Sequence, residues 1–132
     1  MIKNILRLIP IVLLLLSGCK EKDEIIWPRS VSIVPSDTTI VVGTSIVLKP
    51  VFDPEEARLY NNRYFNSNWY SSDPGIANVA TVSGVVTGMA PGVATISIIS
   101  GTSYKNEEGY WVTTIGNSCE VRVIDDKLNP QQ

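Results

Sequence analysis

Two residues of the 132 carry a thiol, Cys19 and Cys119, and none carries an imidazole. Without histidine, acid-base catalysis by an imidazole and His-ligated metal sites are excluded. No Gly-x-Ser-x-Gly turn or paired-cysteine motif supplies another nucleophile or a zinc cradle. Carboxylates gather at Asp53-Glu55-Glu56, Glu107-Glu108 and Asp125-Asp126, but none has the spacing of a calcium-binding loop, so they are expected to be solvated turns. No enzyme activity, metal or cofactor is therefore expected. The chemistry that remains is acylation at one cysteine and contact through six aromatics: Tyr60, Tyr64, Phe65, Tyr104, Tyr110 and Trp111.

Cys19 follows an apolar run, Leu8 to Leu16, that is broken only by Pro10 and preceded by Lys3 and Arg7. A membrane-spanning helix needs about 20 apolar residues, and this run has nine, the length of a signal-peptide core. Leu16-Ser17-Gly18-Cys19 resembles the bacterial lipobox, which implies cleavage after residue 18 and acylation of Cys19. Several acyl chains on one residue convert marginal membrane binding into stable attachment. The next residues, Lys20-Glu21-Lys22-Asp23-Glu24, resemble the acidic export signal that takes lipoproteins of the Bacteroidetes to the cell exterior, with Lys22 interrupting the pattern. A plain solvated tether is the other reading. Removing residues 1–18 leaves nine basic against 13 acidic residues, a net charge of minus four, with no basic cluster. Nucleic acid, which is bound through clustered Lys and Arg, is not an expected partner.

These groups need elements to position them. From Ser30 the chain alternates apolar and polar residues and is punctuated by Gly, Pro, Asp and Ser, the pattern of short, half-buried strands. Ile46, Leu48, Pro50 and Phe52 form one inward set, Ala94, Ile96 and Ile98 another, and Cys119, Val121 and Val123 a third. Further strands are expected at Val31–Val34, Thr39–Val42, Asn68–Ser71, Ala77–Val82 and Val85–Gly88. No stretch shows a helical period. About seven or eight antiparallel strands argue for a single all-β sandwich.

The blocks Leu48-x-Pro50-x-Phe52-x-Pro54, Trp69-x-Ser71-Ser72-Asp73-Pro74, Gly84-Val85-Val86-Thr87-Gly88, Pro91-Gly92-x-Ala94-Thr95-Ile96 and Cys119-x-Val121-x-Val123 follow in that order. Together they resemble the bacterial Ig-like domain, group 2, from about Ser30 to Ile124. The resemblance implies an Ig-like sandwich of bacterial surface proteins, used as a spacer or a binding module without catalysis. It divides the chain into a signal peptide (1–18), a lipidated N-terminus and tether (19–29), the Ig-like domain (30–125) and a tail (126–132). Trp69 is expected in the core, where Ig-like sandwiches bury a Trp between the sheets. Leu48, Phe52, Ala94, Ile96 and Val121 are expected beside it. The glycines precede strand residues, not a helix, and so form no phosphate loop. With Cys19 given to lipid, Cys119 is expected to be a small buried hydrophobe.

Two long connections carry the six aromatics: Asp53–Asn68, between the second and third strands of the sandwich, and Gly101–Ser118, before the last. In an Ig arrangement these B–C and F–G loops share one end, so they are expected to touch. Aromatics there suit binding of a glycan or a protein. Alternatively they form a satellite core, with Ser100–Tyr104 and Tyr110–Ile115 as a hairpin turning at Lys105–Gly109. Tyr110 and Trp111 point to opposite faces of a strand, so only one of them can be buried on a given partner. Asp37-Thr38-Thr39 also resembles a Bacteroidetes O-glycosylation acceptor, with Thr38 modified. The expectation is a non-catalytic lipoprotein of the outer membrane, anchored in lipid through acylated Cys19 and facing the exterior. It would bind a glycan, or an outer-membrane or host protein, through these loops. The other reading is a structural spacer or assembly subunit of an outer-membrane complex.

Overall fold

The computed structural model describes residues 24–126. The lipobox residues Leu16, Ser17 and Gly18, the acylation site Cys19 and the chain from residue 127 lie outside the described residues.

Nine strands form among the described residues: β1 Ser30–Val34, β2 Thr38–Val41, β3 Ser45–Val47, β4 Lys49–Asp53, β5 Ser67–Ser71, β6 Ala77–Val79, β7 Val85–Gly88, β8 Gly92–Lys105 and β9 Trp111–Ile124. The extra strand relative to the sequence expectation comes from Leu48, which separates β3 from β4 within one predicted strand. Its N–H leaves the ladder and donates to Gly84 O at 2.9 Å. One layer is the four-stranded sheet β2-β9-β8-β5; β1-β4 and β3-β7-β6 meet at Leu48 to make the other. The pairing is antiparallel except between β2 and β9, which run parallel from Thr38 opposite Val121 to Val41 opposite Ile124. This departs from the all-antiparallel expectation. The chain leaves β1 at Val34, passes Pro35 and enters the opposite layer as β2. A proline there is compatible with the switch because it has no N–H to give to a ladder.

The inward sets of the two layers close on each other. Leu48, Phe52, Trp69, Ala94, Ile96, Ile98, Val121 and Val123 are all buried, and burial of a large apolar side chain contributes about 1.5–3 kcal/mol. Trp69 lies opposite Ile98 in the β5–β8 ladder. Gly84 shows why no side chain fits next to it: φ is +73°, and a Cβ would lie 2.5 Å from Leu48 O and 3.0 Å from the Trp69 ring.

The two long connections take different forms. Asp53–Asn68 contains a short 3-10 helix, Glu55–Tyr60, that buries Ala57. The sequence shows no helical period because a six-residue 3-10 turn is too short to display one. Most of Gly101–Ser118 is not a loop at all but the continuation of β8 and β9 as a hairpin, with a bulge between Gly101 and Tyr104.

Candidate functional site

The hydrogen bonds that join the two connections lie at their bases. Gly101 N–H donates to Asn66 O at 3.0 Å. The hydroxyls of Ser67 and Ser100 are 2.7 Å apart and buried, and Ser67 Oγ also donates to Asn61 Oδ1 at 2.9 Å. A fully satisfied polar pair fixes the relative position of the two strands, because leaving either hydroxyl unpaired in the core costs about 1–3 kcal/mol. The expected contact between the two connections is therefore present.

Phe65 belongs to the core rather than to a binding surface. Its ring packs 5.6 Å from Phe52, edge-on, and 6.2 Å from Trp27, and it is only 6% exposed. That corrects its place among the binding candidates; an aromatic flanked by Tyr64 and Asn66 gives no sequence signal of which way it turns. Tyr60 is half-buried, its ring tilted against Tyr64 at 5.7 Å between centres, and it donates its hydroxyl to Glu24 O at 3.2 Å. Tyr64 is exposed, with the Arg63 guanidinium 5.5 Å from its ring centre. Tyr104 is half-buried with Arg29 6.0 Å from its ring.

The hairpin tip differs. Asn106 closes the turn, its Oδ1 accepting from the N–H of Glu108 at 3.1 Å and of Tyr110 at 2.9 Å, while Gly109 takes φ +86°. Tyr110 and Trp111 follow at once and are 68% and 64% exposed. Of this pair, the sequence reading allowed one to be buried; neither is. Trp111 shares its period-two set with the buried Cys119, Val121 and Val123. Asn117 of the same set donates its side-chain amide to Val31 O at 2.9 Å, so the set faces the opposite sheet. At Trp111 that face is largely open to solvent. Lys105, its cross-strand partner, sits 5.4 Å above the indole ring.

An open cleft of about 500 Å³ lies beside the hairpin, lined by Ile25, Ile26, Trp27, Arg29, Asp53, Pro54, Ser103 and Tyr104. Its first wall is the chain that leads into the domain. Pro28 is buried and its carbonyl accepts a hydrogen bond from Thr102 Oγ1, and Arg29 N–H donates to Asp53 O at 2.8 Å. Trp27 and Arg29 were not among the sequence candidates. The signal that pointed to them is the apolar run Ile25-Ile26-Trp27, which a solvated tether has no reason to carry.

The family description of the bacterial Ig-like domain (group 2) matches residues 29–109. The chain belongs to this family. The match covers more than half of the chain and stops at Gly109, in the turn of the β8–β9 hairpin. In this Ig-like domain β9 lies beyond the match, yet it pairs with β8 along nearly its whole length and with β2, completing the sheet. Members of the family are commonly surface- or adhesion-related and the family is non-catalytic. No curated protein matches the chain.

The remaining candidates sit away from the insertion end of the Ig-like domain. Thr38 opens β2, half-buried, in a shallow hollow with Asp37, Glu120 and Arg122. Asp37 Oδ1 accepts from Glu120 N–H at 2.8 Å. Cys119 is buried and free. Burial pushes its thiol pKa up, and the nearby Asp37 charge adds to the shift. A thiol so placed is a core group, not a nucleophile. Among the described residues no three His, Cys, Asp or Glu are placed to hold a metal ion, and no helix is long and apolar enough to cross a membrane.

Proposed function

We propose that the protein is a non-catalytic Ig-like module of the outer membrane, anchored by acylated Cys19, that makes its contacts through the two insertions. The observation that carries this reading is the pair Tyr110 and Trp111, both exposed at the tip of a hairpin whose turn is braced by Asn106. Large aromatics held on a rigid turn offer contact area at low entropic cost, the design found in protein-binding loops. They also match the apolar C–H faces of sugar rings. A glycan or a protein at the cell exterior is the partner expected of an adhesion or accessory module.

A second reading, an assembly subunit of an outer-membrane complex, is favoured by where the chain enters the domain. Glu24 meets Tyr60 and Pro28 meets Thr102, so the anchored segment arrives at the insertion end. That end then faces neighbours in the membrane rather than ligands from outside.

The test is a glycan array with the mature chain made soluble by Cys19→Ser, run beside folded Tyr110→Ala and Trp111→Ala variants. Saturable binding that either variant loses supports the adhesion reading. A blank array, with crosslinks from the tip to an outer-membrane protein in cells, supports the assembly reading.

A further inference from the structure

We infer that the insertion end docks on the lipid headgroup layer, with Trp111, Tyr110, Tyr64 and Leu59 as its interfacial contacts. This keeps the anchor of the module reading above, acylated Cys19, on which it rests, and gives the aromatic tip to lipid in place of a glycan or a protein. Chain length limits how far the insertion end can lie from the anchor. Glu24 is the fifth residue after Cys19, and five residues cannot reach further than about 18 Å. Glu24 O is hydrogen-bonded to Tyr60, within the first insertion. β8 has 14 residues and runs from Gly92 to Lys105, about 45 Å at roughly 3.3 Å per residue. Its Lys105 end reaches the hairpin tip, while its Gly92 end lies most of a domain length away. The anchor thus holds the insertion end near the bilayer.

The side chains exposed at that end suit a lipid interface. Leu59, Tyr64, Tyr110 and Trp111 are each between 47% and 68% exposed. Trp and Tyr are the side chains that settle at the headgroup level, where one part of the ring is apolar and the other wet. Lys105 and Arg63 lie over the Trp111 and Tyr64 rings, and long basic side chains reach naturally from such rings to the headgroups. Leu59 has no polar atom to offer a sugar but suits a lipid interface. Glu107 and Glu108 lie beside Tyr110, so attraction to anionic lipid is not the force. The contact is aromatic and apolar and needs only a zwitterionic surface. Tethering supplies the rest: a short leash raises the effective concentration to the order of millimolar, so contacts too weak to recruit free protein are populated in the anchored one.

The full chain, expressed in a bacterium that processes lipoproteins and purified from its membranes, is weighed intact and reconstituted into phosphatidylcholine vesicles. Half of the vesicles carry lipid brominated near the headgroup end of the acyl chain, a short-range quencher of indole. Trp69 is buried and Trp27 half-buried, which leaves Trp111 as the exposed indole. Docking is expected to give quenching that Trp111→Phe abolishes and Trp27→Phe retains, both variants being folded by circular dichroism. Acylated protein with no quenching, or with quenching unchanged in Trp111→Phe, overturns the docking and leaves the anchor standing. A mass without acyl chains overturns the anchor and the docking together. Trp111 unquenched by bromolipid yet shielded from iodide in native membranes assigns the tip to a protein or glycan neighbour and also overturns lipid docking.

Discussion

The β8–β9 hairpin has two halves that obey the same sequence rule and meet different fates. In the half from Gly92 to Ser100 and from Ile115 to Ile124, β8 is flanked by β5 and β9 is flanked by β2 over its last four residues. Its inward side chains at Ala94, Ile96, Ile98, Cys119, Val121 and Val123 are buried. In the other half, from Gly101 to Thr114, no third strand pairs with β8 or β9, and Trp111 on the same face as Val121 is exposed. Alternation fixes which way a side chain points. Whether that direction is interior depends on what the rest of the fold places there.

Burial also reaches beyond the hairpin, into the first insertion. Phe65 comes from an insertion but packs on Phe52, so Phe65→Ala is expected to cost as much as Trp69→Ala, about 3–5 kcal/mol each. Urea unfolding of both variants checks this; a Phe65→Ala penalty below about 1 kcal/mol would show that the first insertion is a loose attachment outside the covered core. Next in size is the seam between the halves. Ser100→Ala removes one of the two partners of the buried Ser67 hydroxyl while Asn61 remains, and a loss of about 1 kcal/mol is expected in the same assay.

A smaller effect probes the covered half through its thiol. The folded Cys119 pKa is raised, first by burial and then by Asp37. The unfolded chain therefore releases that proton at lower pH than the folded one. The contribution to stability is complete below the ordinary thiol pKa and is lost as pH rises from there towards the raised value. The urea midpoint of the native protein should fall more steeply than that of Cys119→Ala above about pH 9, and thiol reagents should label Cys119 only on unfolding. The smallest effects belong to the uncovered half: Tyr110→Ala and Trp111→Ala are expected to change stability by no more than about 0.5 kcal/mol. A larger loss in either would mean that the tip is packed and would remove it as a contact surface.

Most of the fold is legible because burial in a sandwich follows a period of two, and the blocks around Leu48, Trp69, Ala94 and Val121 state that period plainly. The break at Leu48 and the parallel β2–β9 pair are not legible, since both depend on partners distant in sequence: Gly84 for the first and Val121–Ile124 for the second. The candidate site is legible in its location and not in its membership. The shared end of the two insertions follows from Ig topology, but the inward turn of Phe65 and the packing of Trp27 and Pro28 are set by Phe52, Phe65 and Thr102. Trp111 sits on a face that the pattern marks as interior, yet no part of the opposite layer buries it.

The parallel β2–β9 pair also determines how the domain carries a mechanical load. β2 lies towards the N-terminal side of the chain and β9 towards the C-terminal side. A pull that separates the chain before β2 from the chain after β9 drags these two strands in opposite directions along their common axis. The bonds joining Thr38–Val41 to Val121–Ile124 are then stressed together, in shear, rather than opened one after another from an end. A short ladder loaded in that way yields only when the whole set fails at once, so the sheet resists being drawn apart along its strands until all of these bonds give way together.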